Sequence, residues 1–62
     1  MNYDTIRSNF LRGLWTATMV KMAKKKGIIT AAQFKEIMRE GVEAEVITVE
    51  QYEEITGEEY VA

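Results

Sequence analysis

One short phrase is written three times in this chain, and it constrains the fold more than any other feature. Gly13-Leu14-Trp15-Thr16-Ala17 is the first copy, Gly27-Ile28-Ile29-Thr30-Ala31 the second and Glu45-Val46-Ile47-Thr48-Val49 the third; they begin 14 and then 18 residues apart. An apolar residue follows each Thr at the fourth place (Val20, Phe34, Tyr52) and again at the seventh (Ala23, Ile37, Ile55). This is a helix-start pattern. The Thr hydroxyl accepts a hydrogen bond from a first-turn N–H that otherwise has no partner. Gln33 and Gln51 stand three places after Thr30 and Thr48 and complete capping boxes, whereas Met19 holds that place after Thr16. Trp15 with Val20, Ile29 with Phe34 and Ile47 with Tyr52 have the spacing of hydrophobic staples.

An N-cap contributes about 1 kcal/mol. A domain of this length holds roughly 3–9 kcal/mol of net stability, on the order of 0.05–0.15 per residue. Three caps are therefore a large share, and Thr16, Thr30, Gln33, Thr48 and Gln51 read as structural caps. No base lies beside these threonines to make one a nucleophile. Gly13, Gly27, Gly41 and Gly57 each follow a helical stretch and read as stops.

The expected fold is all-α: a small bundle of three main helices plus one short C-terminal helix, in a single domain over residues 1–62. The first helix is expected over Thr5–Arg12 behind an Asp4 cap, with Tyr3, Ile6, Phe10 and Leu14 facing the core. The second is expected over Ala17–Lys26, its apolar side formed by Met19, Val20, Met22 and Ala23. The third is expected over Ala31–Glu40 with Phe34, Ile37 and Met38 inward, and the fourth over Val49–Thr56 with Tyr52 and Ile55 inward. Between them Val42–Ile47 alternates apolar and acidic residues, as either an extended piece or part of a turn does. Residues 58–62 read as a peripheral tail, with Tyr60 folding back onto the core.

A chain of 62 residues buries only about 60% of its unfolded surface and is marginal alone. It has no Cys and no His, which excludes a disulfide framework and thiolate or imidazole metal sites. Packing and association remain as sources of stability. No signal-peptide pattern opens the chain, and no apolar run approaches bilayer length. Charge is divided unevenly. Residues 1–27 carry Arg7, Arg12, Lys21, Lys24, Lys25 and Lys26 against Asp4, a balance of +5; residues 28–62 carry Lys35 and Arg39 against nine glutamates, a balance of −7. Such a split favours docking of the halves within a chain, or head-to-tail contact between chains.

Three constellations invite a functional reading. Glu50, Glu53, Glu54, Glu58 and Glu59 crowd the C-terminal end. They have neither calcium-loop spacing nor a nearby cation to tune a carboxylate for acid–base work, and read as a solvated face. Lys24-Lys25-Lys26 with Lys21, Arg12 and Arg7 is the one basic cluster, able to meet phosphates or simply to complement a helix C-terminus. Nucleic-acid binding is disfavoured by the acidic net charge of −2 and by Glu36 and Glu40 on the third helix. Trp15, Met19, Met22 and Met38 suit either the core or an adaptable contact surface. Trp15, Met19 and Met22 with Lys24, Lys25 and Lys26 form the candidate partner-binding set. No nucleophile–base pair, phosphate-binding loop or metal spacing appears, so no catalytic, cofactor or metal residue is assigned and an enzyme is not expected.

Gly27-Ile28-Ile29-Thr30-x-x-Gln33-Phe34, and more closely Ile47-Thr48-Val49-Glu50-Gln51-Tyr52-Glu53-Glu54-Ile55-Thr56-Gly57-Glu58-Glu59-Tyr60, resemble the XkdX-like family of short phage and prophage proteins. That family ends in a Gly-x-Ile-Thr-x-Glu-x-Tyr-x-x-Ile-Thr-Gly phrase and has an upstream aromatic-x-x-Gly element, which Phe10-Leu11-Arg12-Gly13 resembles. The likeness covers about two-thirds of the chain. Two departures stand out: Glu45 replaces the last usual glycine, and the three-copy arrangement is longer than typical. The resemblance implies a phage accessory protein from the tail or tail-fibre gene region, with no active site to carry over. The expectation is a non-enzymatic interaction module in tail assembly, with a protein partner or self-association, no small-molecule substrate and no membrane. It would work in the cytoplasm of the bacterial host or in the virion. The alternative is a small regulator that binds DNA or a transcription factor through its basic N-terminal half.

Overall fold

Capping chemistry sets where each helix begins. The computed structural model describes residues 2–61; Met1 and Ala62, the two ends of the expected domain, lie outside the described residues. Four helices follow one another: α1 (Tyr3–Leu11), α2 (Ala17–Lys25), α3 (Ala31–Glu43) and α4 (Val49–Thr56). The all-α architecture read from the sequence is the architecture found. The Thr16, Thr30 and Thr48 hydroxyls accept from the N–H groups of Met19, Gln33 and Gln51 at 3.2, 3.1 and 3.0 Å. The Gln33 and Gln51 side chains return the bond to the N–H groups of Thr30 and Thr48 at 2.9 and 2.8 Å.

The first helix starts earlier than expected. Asn2, not Asp4, is its cap, and the Asn2 side chain accepts from the Thr5 N–H at 2.9 Å. Starting there takes Tyr3 into the helix, and Asp4 falls in the first turn, where a negative charge favours the helix dipole.

Three of the links share one turn. After α1, α2 and α3 the chain passes through an αL residue (Gly13, Gly27, Glu45), then two residues, then the capping Thr. The N–H two places past each C-cap reaches back to the carbonyl three before it: Leu14 to Asn9, Ile28 to Ala23 and Val46 to Gly41, at 2.9, 3.0 and 2.8 Å. The αL residues bond Phe10, Lys24 and Val42 at 3.0, 3.0 and 3.1 Å. These are Schellman turns. The Val42–Ile47 link is accordingly the last turn of α3 followed by this motif, not an extended piece.

Gly41 is not a stop. It lies buried inside α3, which runs on to Glu43. A Cβ there would fall 2.5 Å from Cε2 of Phe10 and 3.3 Å from Cγ1 of Ile47. The absent side chain is what lets α1 and the α3–α4 link close on α3.

The core gathers Ile6 and Phe10 of α1, Val20 and Ala23 of α2, Ile29, then Phe34, Ile37 and Met38 of α3, and Tyr52 of α4. It holds no polar side chain among the described residues. Leu14 does not join it and is 62% exposed. The tail does return: the Tyr60 ring meets Tyr52 edge-on at 5.1 Å, and its N–H donates to Glu53 Oε2 at 3.1 Å. Each helix packs on its first and second neighbours along the chain, while α1 and α4 do not touch.

Candidate functional site

The gap between α1 and α4 leaves a groove of about 660 Å³. The α1–α2 link forms one wall with Gly13, Trp15 and Thr16, and the α3–α4 link faces it with Val46 and Ile47. Phe10 and Ile55 add apolar surface, and Lys21 of α2 and Glu54 of α4 complete the lining. Trp15 is half-buried, packed against the core on one side and lining this groove on the other.

The helix period divides the remaining candidate residues. Residues 19, 22 and 26 share one stripe of α2, and residues 17, 21 and 24 share another on the far side of buried Val20. Only the second stripe meets the groove, through Ala17 and Lys21. Met19 and Met22, expected on the apolar side, are 42% and 46% exposed on the first. Val20 and Ala23 are the buried residues of α2, and the methionines on the stripe beside them are left outside. The structure thus separates Trp15 from Met19 and Met22, which sequence order had grouped.

The basic cluster is also divided. Lys24 Nζ lies 4.9 Å from the centre of the Phe34 ring, a cation–π contact within the fold. Lys25 and Lys26 are exposed. Lys24 and Lys25 sit in the last turn of α2, where positive charge complements the helix dipole. Arg7 is engaged elsewhere: its Nε and Nη2 donate to the two carboxylate oxygens of Glu40 at 2.6 and 2.7 Å, linking α1 to α3. The hydrogen bond to Arg7 holds the Glu40 carboxyl below its ordinary value of 4.5 against the opposing effect of burial. The same bond raises Arg7. Tyr3 beside them is raised by burial first and by the Glu40 charge second. Sequence reasoning missed this group because its partners are 33 residues apart and carry no local signature.

The acidic end is only partly committed. Glu58 accepts from Lys35 Nζ at 2.8 Å, which raises the lysine, and Glu53 is held by the Tyr60 N–H. Glu50 and Glu54, one turn apart on α4, are exposed, and Glu54 also borders the groove. No group of three or more acidic residues among those described is placed to hold a metal ion. No helix is long and apolar enough to cross a membrane, again among the described residues.

Comparison with known proteins adds a setting. The model of a family described as "Phage uncharacterised protein (Phage_XkdX)" matches the chain twice, over residues 3–38 and 35–60. No curated protein and no solved structure matches it. The first match runs from α1 into α3, and the second from within α3 through α4. The two overlap on α3, the helix that receives one Schellman turn and begins the next.

Proposed function

Because the chain belongs to this XkdX family of phage proteins, we propose that it is a non-enzymatic accessory or structural protein of a phage or prophage, a small protein–protein interaction module in tail assembly. One observation carries the interaction reading. The bundle closes its core without Met19 and Met22 and leaves both half-exposed beside the free ends of Lys25 and Lys26. Apolar surface is scarce in so small a chain. Flexible, polarizable methionines turned outward suit a partner whose shape they can follow.

The tail setting rests on the resemblance of the Thr-capped phrases to those of the family. In this reading the protein works in the host cytoplasm or in the particle, and it needs neither a cofactor nor a small-molecule substrate. The test is co-purification from cells producing the phage. Tagged protein should carry identified tail proteins with it, and Met19→Ser with Met22→Ser should lose them while the helical circular dichroism is unchanged. Recovery of the folded protein without any tail component would sink this function.

A further inference from the structure

The surface of α2 and the surface of α4 are opposite in charge, and among the described residues no ion pair inside the molecule joins them. Helix α2 carries Lys21, Lys24 and Lys25, is followed at once by Lys26, and contains no acidic residue. Helix α4 carries Glu50, Glu53 and Glu54 and contains no cation. The ion pairs of the fold are Arg7–Glu40, Lys35–Glu58 and Arg39–Glu36. Among the described residues none of these pairs takes a lysine from α2 or a glutamate from α4. Both helices also leave apolar groups beside their charges: Met19 and Met22 on α2 at 42% and 46% exposure, and Val49 next to Glu50 on α4 at 42%.

We infer that the module's partner is a second copy of itself, with the Met19–Met22–Lys25–Lys26 face of α2 seated on the Glu50–Glu54 face of α4 in the next molecule. This rests on the interaction reading above and names the occupant of the surface. Charge complementarity is the reason to choose a second copy. A basic face seeks an acidic helix and an acidic face seeks a basic one, and each chain supplies both in equal number. The residues also match in period. Glu50 and Glu54 lie one turn apart on one stripe, as do Met22 and Lys26.

The two faces are on different helices, so the contact is heterologous. Each added copy leaves one face of each kind free, and assembly either extends or closes into a ring. Its strength is bounded by size. A standard interface covers about 800 Å² on each partner. That is about a fifth of the 4079 Å² surface of this molecule, and the contact is confined to two short helices of nine and eight residues. The association is therefore weak, concentration-dependent and sensitive to salt.

Sedimentation equilibrium of the full chain tests it, at low salt and at 1 M NaCl, where the screening length falls to about 3 Å. The expected result is a mass above the monomer that grows with concentration at low salt and falls toward the monomer at high salt. Two charge reversals sharpen the test: Lys25→Glu with Lys26→Glu, and Glu50→Lys with Glu54→Lys. Each variant should keep its helical circular dichroism and be monomeric at low salt, because its α2 and α4 faces then repel. An equimolar mixture of the two should assemble again, since each restores the complement the other lost. A wild-type monomer at every concentration, or variants that assemble as the wild type does, would overturn the inference. A monomer that still carries tail proteins from producing cells overturns the self-contact and leaves the tail function standing. An oligomer with salt-sensitive, mixture-rescued assembly but no tail protein does the reverse.

Discussion

The link from α2 to α3 and the link from α3 to α4 are the same turn, yet a glycine closes one and a glutamate the other. Gly27 sits at φ +78° and Glu45 at φ +60°. The helices they end differ as well, nine residues in α2 and thirteen in α3. A glycine does stand in α3 at the place where α2 stops: Gly41 follows Thr30 by eleven residues, as Gly27 follows Thr16. The helix passes through it to Glu43, and the αL residue that closes the turn comes four places after Gly41, at Glu45. The difference lies in what comes next. Gly27 is followed by Ile28, Ile29 and a capping Thr30, whereas the third residue after Gly41 is Ala44, which cannot cap. With no new helix ready to start, α3 continues until Val46-Ile47-Thr48 supplies one. Gly41 is then free for another purpose, the close approach of Phe10. Between consecutive helices a glycine stops the helix where the whole turn phrase follows it, at Gly13 and Gly27, while Gly57 ends α4 at φ +73° without that phrase.

Substitutions at these places break or sharpen that contrast. The largest effect is expected at Gly41. In an ordinary helix interior, alanine for glycine gains about 1 kcal/mol. Here the new Cβ meets the ring of Phe10, itself buried and unable to move away, and overpacking of this kind costs about 1–3 kcal/mol. Gly41→Ala should therefore lower the urea midpoint, and Phe10→Leu in the same background should recover part of the loss. A more stable Gly41→Ala protein would return Gly41 to the role of an ordinary helical glycine.

Gly27→Ala comes next. Nothing crowds a Cβ at this position, so the cost is conformational alone, about 1 kcal/mol net once the stiffer unfolded chain is counted. Thermal unfolding should show it without any change in helix content. At Glu45 the sign reverses. Glu45→Gly relieves the αL conformation and removes a negative charge near a helix C-terminus, for a gain of about 0.5–1 kcal/mol. A destabilised Glu45→Gly protein would mean that the two turns are not equivalent and that Glu45 makes a contribution of its own.

The smallest effect is at the Arg7–Glu40 pair, which is partly exposed. The folded Glu40 carboxyl titrates below the ordinary 4.5. In the window between the folded and unfolded values the unfolded chain binds more protons. The stabilisation is thus fully present above about pH 4.5 and is lost as pH falls through the folded value. Unfolding free energies measured from pH 7 down to pH 3 should fall less steeply in Glu40→Gln than in the wild type. Parallel curves would show that the pair contributes nothing measurable.

Much of the fold was legible in order and little of the surface was. The four helices follow from signals confined to a few residues: a Thr with a Gln three places on, an αL residue three places before the Thr, an apolar residue each turn. The errors of boundary come where two local signals compete. Asn2 and Asp4 are both good caps, and the choice of Asn2 brings Tyr3 into a helix that places it beside Glu40. Which apolar residues of α2 face inward was beyond reach, since Met19, Val20, Met22 and Ala23 are all apolar and only the docking of α2 on the other helices selects Val20 and Ala23. The groove is also absent from the sequence. It exists because α1 and α4 fail to meet, and residues as far apart as Trp15 and Ile55 line it.

By itself the sequence determined the helices, their caps and the recurring turn, because hydrogen bonds that close within five residues depend on little beyond those residues. The tertiary structure alone decided that Gly41 admits Phe10, that Arg7 finds Glu40, and that Met19 and Met22 remain outside beside unpaired lysines. Those outcomes depend on where four helices come to rest against one another, and the packing of all four sets that position at once.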